Sequence, residues 1–260
     1  MIASGTLFLY VASMAFALLY GGFRKNLLYY LCAGAMAAGF ALQTAGLTVR
    51  WIESRIIPAT NLPQILHATA WALVALYLLF GTALKNRIVV FFLMPLVVLS
   101  MLTAQLIPDL PKEPKPFFYT AWFVVHIALL TLGIGLFLYS FLYSSIFIMQ
   151  DHSLRHRRQP LALGLPSLEE SARWATRFLL LGFGVYTAGL FSSGLYGALE
   201  GKKDAWRPGM LEVAAVAAWL ILGAAIYGWV TAKLNPRKRA WLVVAGAAST
   251  VLIILGILWH

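Results

Sequence analysis

Long apolar runs separated by short polar gaps set the pattern of this chain. Eight of the runs are long enough for a membrane-spanning helix at a rise of about 1.5 Å per residue. The runs are continuous and do not alternate with period two, which favours helices over the strands of a membrane barrel. The pattern therefore predicts an all-α, polytopic membrane helical bundle with eight transmembrane helices. The predicted helices cover about residues 3–22, 27–48, 63–84, 88–106, 119–149, 177–198, 211–232 and 239–259.

Two polar pairs predict where helices begin. Asn61 is followed three residues later by Gln64, and Ser167 is followed three residues later by Glu170. Both pairs are typical of a capped helix start, in which the first side chain accepts a backbone N–H of the first turn. The second pair predicts a short amphipathic helix, LEESARWATR, that leads into the sixth apolar run.

Composition excludes a soluble monomer. Hydrophobic residues make up 61% of the 260 residues and charged residues 11%, against about 45–50% and 25% in an average soluble domain. The formal charge of +11 comes from basic residues in the gaps between the runs. In these positions the basic residues are expected to set the membrane topology and to contact anionic lipid, and not to bind nucleic acid. The single cysteine, Cys32, excludes an internal disulfide and CxxC chemistry.

The distribution of lysine and arginine predicts the orientation. Of the 20 basic residues, 13 lie in the odd-numbered gaps between runs, which the positive-inside rule places in the cytoplasm. Both termini then face outward. No convincing tandem repeat is evident, so we expect a single membrane domain over residues 1–260. Its longest inner loop is predicted at 151–176, with a short amphipathic helix, and an outer loop that contains Trp206 is predicted at 199–210.

Histidines, and no acidic residue, lysine or arginine, lie well within the apolar runs. In the predicted orientation, His67, His126 and His260 all lie in the outer leaflet. Neutral imidazole is a good axial ligand for heme iron, although a single membrane histidine often only bonds a neighbouring helix. Trp206, in the outer loop, could stack on a porphyrin or anchor the chain at the interface.

Several stretches carry a resemblance to a known family. The chain resembles the cytochrome c assembly superfamily, which contains the heme-handling CcsA/ResC and CcmC proteins. Within it, the chain is most similar to the smaller HemX and YpjD-like members, whose tryptophan-rich motif is degenerate. The resemblance covers most of residues 60–260. It rests on ATNLPQILHATAWALVALYLLF, TAWFVVHIALLTLGIGLFLYSFLYSSIFIMQ, LPSLEESARWATRFLLLGFGVYTAGLFSSGLYGA and NPRKRAWLVVAGAASTVLIILG.

The resemblance implies a set of site residues. His126 stands in the W-x-x-x-H pattern of the family's first outer heme ligand, and His260 lies near the second. The family's outer loop ends in W-D-P-K-E, whereas this chain has WRPGM from Trp206 to Met210. The resemblance thus implies non-covalent heme b near the outer leaflet, held by His126 with His260 or His67 and flanked by Trp206. The departure in the loop argues against cytochrome c synthase activity, so we do not expect an enzyme.

The same resemblance implies a role and its partners. We expect a multi-pass protein of the bacterial inner membrane that acts as a regulator or chaperone in tetrapyrrole biosynthesis or cytochrome c maturation. HemX proteins are associated with control of glutamyl-tRNA reductase, so a soluble enzyme of that kind, or cytochrome c maturation components, could meet the loop 151–176. A homo-oligomer is left open. The alternatives are a membrane transporter of heme or another small molecule, and a membrane scaffold without a ligand.

Overall fold

The structure is a computed structural model that describes residues 2–84, 87–108, 116–156, 165–199, 210–231 and 234–256. Within these ranges the chain forms eight α-helices and a short 3₁₀ helix at Pro116–Tyr119, and no strand. The α-helices are α1 Ile2–Phe23, α2 Asn26–Ser54, α3 Leu62–Leu84, α4 Val89–Leu106, α5 Ala121–Arg155, α6 Leu168–Leu199, α7 Met210–Val230 and α8 Pro236–Gly256.

Each helix covers one of the apolar runs, so the predicted all-α class is confirmed. Six helices, α1 to α6, are long and apolar enough to cross a membrane in the part of the chain that could be searched. In α7 the apolar helix found by the same search is shorter, at Ala215–Val230. The protein is a multi-pass membrane helical bundle, whereas its orientation stays a prediction.

Both predicted helix starts are confirmed at atomic detail. Asn61 Oδ1 accepts the N–H of Gln64 at 3.1 Å, and Ser167 Oγ accepts the N–H of Glu170 at 3.1 Å. The Gln64 side chain reaches back to the N–H of Thr60 at 3.0 Å. These bonds satisfy donors of the first turn that have no partner inside the helix.

Two helices continue further than the apolar runs predict. α2 extends to Ser54 and ends where Arg55 adopts a left-handed backbone with φ of 58°. α5 extends to Arg155, so the first part of the predicted loop 151–176 is helical. The physical reason is that an apolar run marks where a helix is buried in lipid, whereas the helix itself ends only where its backbone is capped.

The described residues group into two compact units. Unit 1 contains α1 to α4 and unit 2 contains α5 to α8. In unit 1, α1 packs on α2, α2 on α3, α3 on α4 and α4 back on α1. Unit 2 repeats the scheme, because α5 packs on α6, α6 on α7, α7 on α8 and α8 back on α5. The prediction of a single membrane domain is not tested by this grouping and stays a prediction.

A matching side-chain arrangement recurs inside each unit. In unit 1, the Trp71 indole N–H donates to Thr44 Oγ1 at 2.8 Å, and the Trp71 ring stacks on Phe40 at 5.4 Å. Thr44 Oγ1 in turn donates to the carbonyl oxygen of Phe40 at 2.7 Å. The three residues join α2 to α3.

In unit 2, Trp219 donates to Thr187 Oγ1 at 2.8 Å and stacks on Phe183 at 5.4 Å, which joins α6 to α7 in the same way. The surrounding sequences are GFALQTAGL at 39–47 and GFGVYTAGL at 182–190. The two segments therefore form a short internal repeat that the search for a tandem repeat did not predict. The repeat is short and its helices are joined by gaps of different length, so no fixed period runs along the chain.

Candidate functional site

His126 lies in the second turn of α5, at the end of the helix that Thr120 caps. Thr120 Oγ1 accepts the N–H of Phe123 at 3.2 Å. The half-buried His126 ring faces α6, where Nδ1 lies 2.8 Å from the carbonyl oxygen of Gly189 and 2.9 Å from Ser192 Oγ. The histidine therefore connects the start of one spanning helix to the last turns of the next.

These contacts define which ring nitrogen carries the hydrogen. A carbonyl oxygen only accepts, so the short contact with Gly189 requires a hydrogen on Nδ1 of His126. The Ser192 hydroxyl donates to the same carbonyl at 2.6 Å, so its oxygen is left to accept from Nδ1. In the neutral imidazole the lone pair is then on Nε2. Metal-binding histidines are commonly oriented in this way, with the other ring N–H held by a backbone carbonyl.

Close packing of α5 against α6 makes the bond to a backbone carbonyl reachable. A Cβ atom added at Gly189 would lie 2.9 Å from Leu130 Cδ2 and 3.0 Å from the Leu130 backbone nitrogen. One added at Gly133 would lie 2.7 Å from Tyr186 Cβ. Glycine at both positions lets the two helix backbones approach closely, as small residues do in membrane helix pairs.

His67 belongs to a polar cluster in unit 1. Its Nδ1 lies 3.2 Å from Met101 Sδ, and the Gln43 amide donates to the His67 carbonyl oxygen at 3.0 Å and to Met101 Sδ at 3.4 Å. The Tyr10 hydroxyl donates to Gln43 Oε1 at 2.7 Å. The cluster thus takes one residue from each helix of unit 1. Tyr10, Gln43 and Met101 are all buried.

The structure places the predicted site residues in different parts of the chain. His126 lies in unit 2 and His67 in unit 1, each in the hydrogen-bonding environment given above. His260, Trp206 and most of the outer loop 199–210 lie outside the described residues. A shared heme site for these residues therefore stays a prediction.

Gly189 and Ser192 are site residues that sequence reasoning missed. No local sequence pattern pairs this carbonyl with a histidine 63 residues earlier. The register of α5 against α6 decides that pairing, and the register depends on the glycine contacts along the whole helix pair.

Comparison with known proteins indicates a family for this chain. Residues 59–260 match the family described as Cytochrome C assembly protein. Protein HemX of Brevibacillus brevis is 28% identical over 92% of this chain and 89% of its own length. The cytochrome c biogenesis protein CcsA of Gloeobacter violaceus is 23% identical, over 90% of this chain and 85% of its own. CcsA of Prochlorococcus marinus strain MIT 9303 is 24% identical, over 98% and 88%.

The match covers more than half of the chain and includes both His67 and His126. It also agrees with the resemblance that the sequence motifs indicate. With eight helices in the described ranges and the apolar character of at least six of them, the fold suits a membrane-embedded member. The chain therefore belongs to the cytochrome c assembly protein family and is similar within it to HemX and CcsA.

Proposed function

We propose that the protein binds heme b non-covalently in the membrane, without catalysing a reaction, and that His126 supplies an axial ligand through Nε2. The observation that carries the proposal is the hydrogen bond from His126 Nδ1 to the Gly189 carbonyl oxygen at 2.8 Å. It holds the imidazole in one tautomer and one orientation, which is the support that a ligating histidine needs. Family membership adds independent weight.

The arrangement of His126, Gly189 and Ser192 fits a heme group. When bound, heme would supply an iron that takes a neutral imidazole nitrogen as its axial ligand. His126 would hold that iron, while Gly189 and Ser192 orient its ring. His260 or His67 is proposed as the second ligand, and Trp206 as a residue that flanks the porphyrin. The chain's own contribution is to present a fixed neutral imidazole in an apolar setting.

Two substitutions at His126 separate ligation from helix packing. His126→Asn keeps a side-chain N–H near the position of Nδ1 and so can still donate to Gly189, but it lacks the Nε2 lone pair. His126→Ala loses both. If His126 binds iron, both variants should lose most of the Soret absorbance of the detergent-purified protein, and added imidazole should restore part of it in His126→Ala.

The thermal midpoint supplies the second measurement. His126→Asn should unfold close to the wild type when both are compared without heme, while His126→Ala unfolds slightly lower because one interhelical bond, about 0.6 kcal/mol in membranes, is lost. Wild-type heme content in both variants would refute ligation by His126. His67→Ala and His260→Ala identify the second ligand, since loss of the true one converts a six-coordinate low-spin spectrum to a mixed spectrum.

A ligand-free membrane scaffold is the second candidate. The hydrogen bond that orients His126 also links α5 to α6. In a scaffold, this structural link would be the whole role of His126. A purified protein that is colourless and does not take up added heme would favour this candidate. Transport of heme or another small molecule requires a path open to both faces, and uptake into vesicles that contain the purified protein would test for it.

The proposed role is regulation or chaperoning in tetrapyrrole biosynthesis or cytochrome c maturation, at the bacterial inner membrane. The inner loop 151–176 is the proposed contact for a soluble partner such as glutamyl-tRNA reductase, or for cytochrome c maturation components. Its described part is rich in charge, with Arg155 paired to Asp151 at 2.9 Å and Arg173 near Glu169 at 3.8 Å. Co-purification of the enzyme with the detergent-solubilised protein tests the proposal.

A further inference from the structure

A cluster of polar side chains joins the four helices of unit 1. We call it the His67 cluster, and it consists of Tyr10, Gln43, His67 and Met101, one residue from each helix. Two contacts meet at its sulfur atom. His67 Nδ1 lies 3.2 Å from Met101 Sδ, and the Gln43 amide nitrogen lies 3.4 Å from the same sulfur. Three helices thus bring an imidazole, a thioether and an amide to one point.

The internal repeat indicates that helix packing does not require these polar side chains. In the repeat, Gln43 corresponds to Tyr186. Tyr10 corresponds to Phe137, because each ring packs against the first glycine of its repeat segment. Phe137 and Tyr186 belong to a cluster of buried apolar residues that draws on all four helices of unit 2. Since an apolar core suits the same packing scheme, the polar atoms of unit 1 indicate a function.

The positions of the donor atoms suit a metal ion. With metal bonds of about 2.0 Å to nitrogen and about 2.3 Å to sulfur, the 3.2 Å between His67 Nδ1 and Met101 Sδ corresponds to an angle of about 95° at the metal. In the tautomer with its hydrogen on Nε2, His67 offers the Nδ1 lone pair. Rotation of the Gln43 amide by about half a turn brings Oε1 beside Met101 Sδ as a third donor. The Tyr10 hydroxyl then accepts from the amide.

The chemistry of the donors selects the ion. Thioether sulfur is a soft ligand that favours copper(I), and imidazole also binds copper, whereas magnesium and calcium prefer oxygen ligands. The three donors are uncharged, so a monovalent ion leaves less charge in the apolar interior than a divalent ion does. Met101 is 0% exposed, whereas His67 is half-buried. The imidazole is therefore the donor that an incoming ion meets first.

We propose that the His67 cluster is a copper(I) site, in which His67 Nδ1 and Met101 Sδ bind the ion and Gln43 Oε1 completes a three-coordinate arrangement. Tyr10 is a positioning residue, because its hydroxyl holds the Gln43 amide. The inference does not rest on heme binding, which is proposed in unit 2. It assigns His67 to copper and leaves His260 as the proposed second axial ligand of heme.

Met101→Leu is the test, with Met94→Leu as its matched control. Both methionines lie on α4 and are 0% exposed, and leucine is close to methionine in volume, so the two packing changes are alike. Cys32→Ser is the background for every variant, because the native thiol is also a soft ligand. Copper(I) is titrated anaerobically into the detergent-purified, heme-free protein in competition with the chelator bicinchoninate.

Met101→Leu should weaken copper(I) binding by at least about ten-fold, since even the outer-shell partners of a metal site change affinity roughly 10–100-fold. Met94→Leu should bind copper(I) as the background does. Met101→Cys keeps a sulfur atom and should recover part of the affinity. X-ray absorption at the copper edge should record a sulfur neighbour that is absent from Met101→Leu. Silver(I), a redox-inert substitute, should raise the thermal midpoint of Met94→Leu but not of Met101→Leu.

Equal copper(I) affinity in the background, Met94→Leu and Met101→Leu would overturn the proposal. Zinc(II) binding that is as tight as copper(I) binding and unchanged by Met101→Leu would also overturn it, in favour of a site made by the histidine alone. Heme content separates the inference from the proposed function, because Met101→Leu should retain heme and His126→Ala should retain copper(I). Loss of heme with unchanged copper(I) binding in Met101→Leu would assign the His67 cluster to the heme site instead.

Discussion

At the scale of single residues, the two membrane histidines differ in what holds their rings. His126 donates to a backbone carbonyl, whereas His67 lies beside the soft sulfur of Met101. Sequence alone identified both as ionisable groups in apolar runs. It could not identify the tautomer of His126 or the partners Gln43 and Tyr10 of the His67 cluster, because both depend on contacts between residues far apart in the chain.

The buried cluster in unit 1 makes a residue-scale prediction. Gln43→Leu removes the acceptor of the fully buried Tyr10 hydroxyl and the donor to the His67 carbonyl. We expect a loss of about 1–3 kcal/mol in the free energy of unfolding, since a buried hydroxyl is left without that acceptor. Chemical unfolding of the purified protein in detergent measures it.

Tyr10→Phe combined with Gln43→Leu is the control for this prediction. The double variant removes both ends of the Tyr10–Gln43 bond, so its loss should be clearly smaller than the sum of the two single losses. Strictly additive losses would show that the two residues do not act as a pair.

At the scale of elements, the helix starts were the most predictable feature. A cap depends on residues three or four positions apart, so Asn61 and Ser167 could be identified from local sequence. The repeated Phe–Thr–Trp arrangement was missed for the opposite reason. Thr44 and Thr187 are 143 residues apart but Trp71 and Trp219 are 148 apart, and this change in spacing hides the repeat from any search at one period.

The contact between α5 and α6 gives an element-scale prediction. A methyl group at Gly133 would lie 2.7 Å from Tyr186 Cβ and 2.9 Å from its Cα, so no side-chain rotation can relieve the overlap. Gly133→Ala should destabilise unit 2 by about 1–3 kcal/mol through overpacking. It should also disturb the His126–Gly189 bond, because the same two helices carry it.

Gly184→Ala is the matched control, since a Cβ at Gly184 meets nothing within 4 Å. Both variants gain the same small helix propensity, so only the packing differs. Thermal unfolding of the two proteins in detergent should show a lower midpoint for Gly133→Ala alone. Equal midpoints would mean that the α5–α6 contact is not as close as the structure has it.

At the scale of the whole molecule, sequence predicted the number and class of the helices better than their grouping. Apolar runs report burial in lipid, and every described helix follows one of them. The division into two units with the same packing scheme is a property of contacts between helices. Hydrophobicity carries little information about such contacts, because in a bilayer the lipid-facing and the helix-facing sides of a helix are both apolar.

Orientation is the whole-molecule property that charge alone predicts, and cysteine labelling tests it. The native Cys32 is 1% exposed and close to Ser13, with Sγ 3.3 Å from Ser13 Oγ, so Cys32→Ser gives a background without thiols. Exposed positions then supply the probes. Ser54→Cys lies at the last residue of α2, on the predicted outer side, and His156→Cys lies directly after α5, on the predicted inner side.

A membrane-impermeant maleimide added to spheroplasts should label Ser54→Cys at once and His156→Cys only after the membrane is opened. The physical reason is the excess of lysine and arginine in the odd-numbered gaps, 13 of 20, which resists translocation. Neither substitution removes one of these charges, so the probes do not alter what they measure. The reverse labelling pattern would place His126 in the inner leaflet. Heme would then have to reach His126 from the cytoplasm.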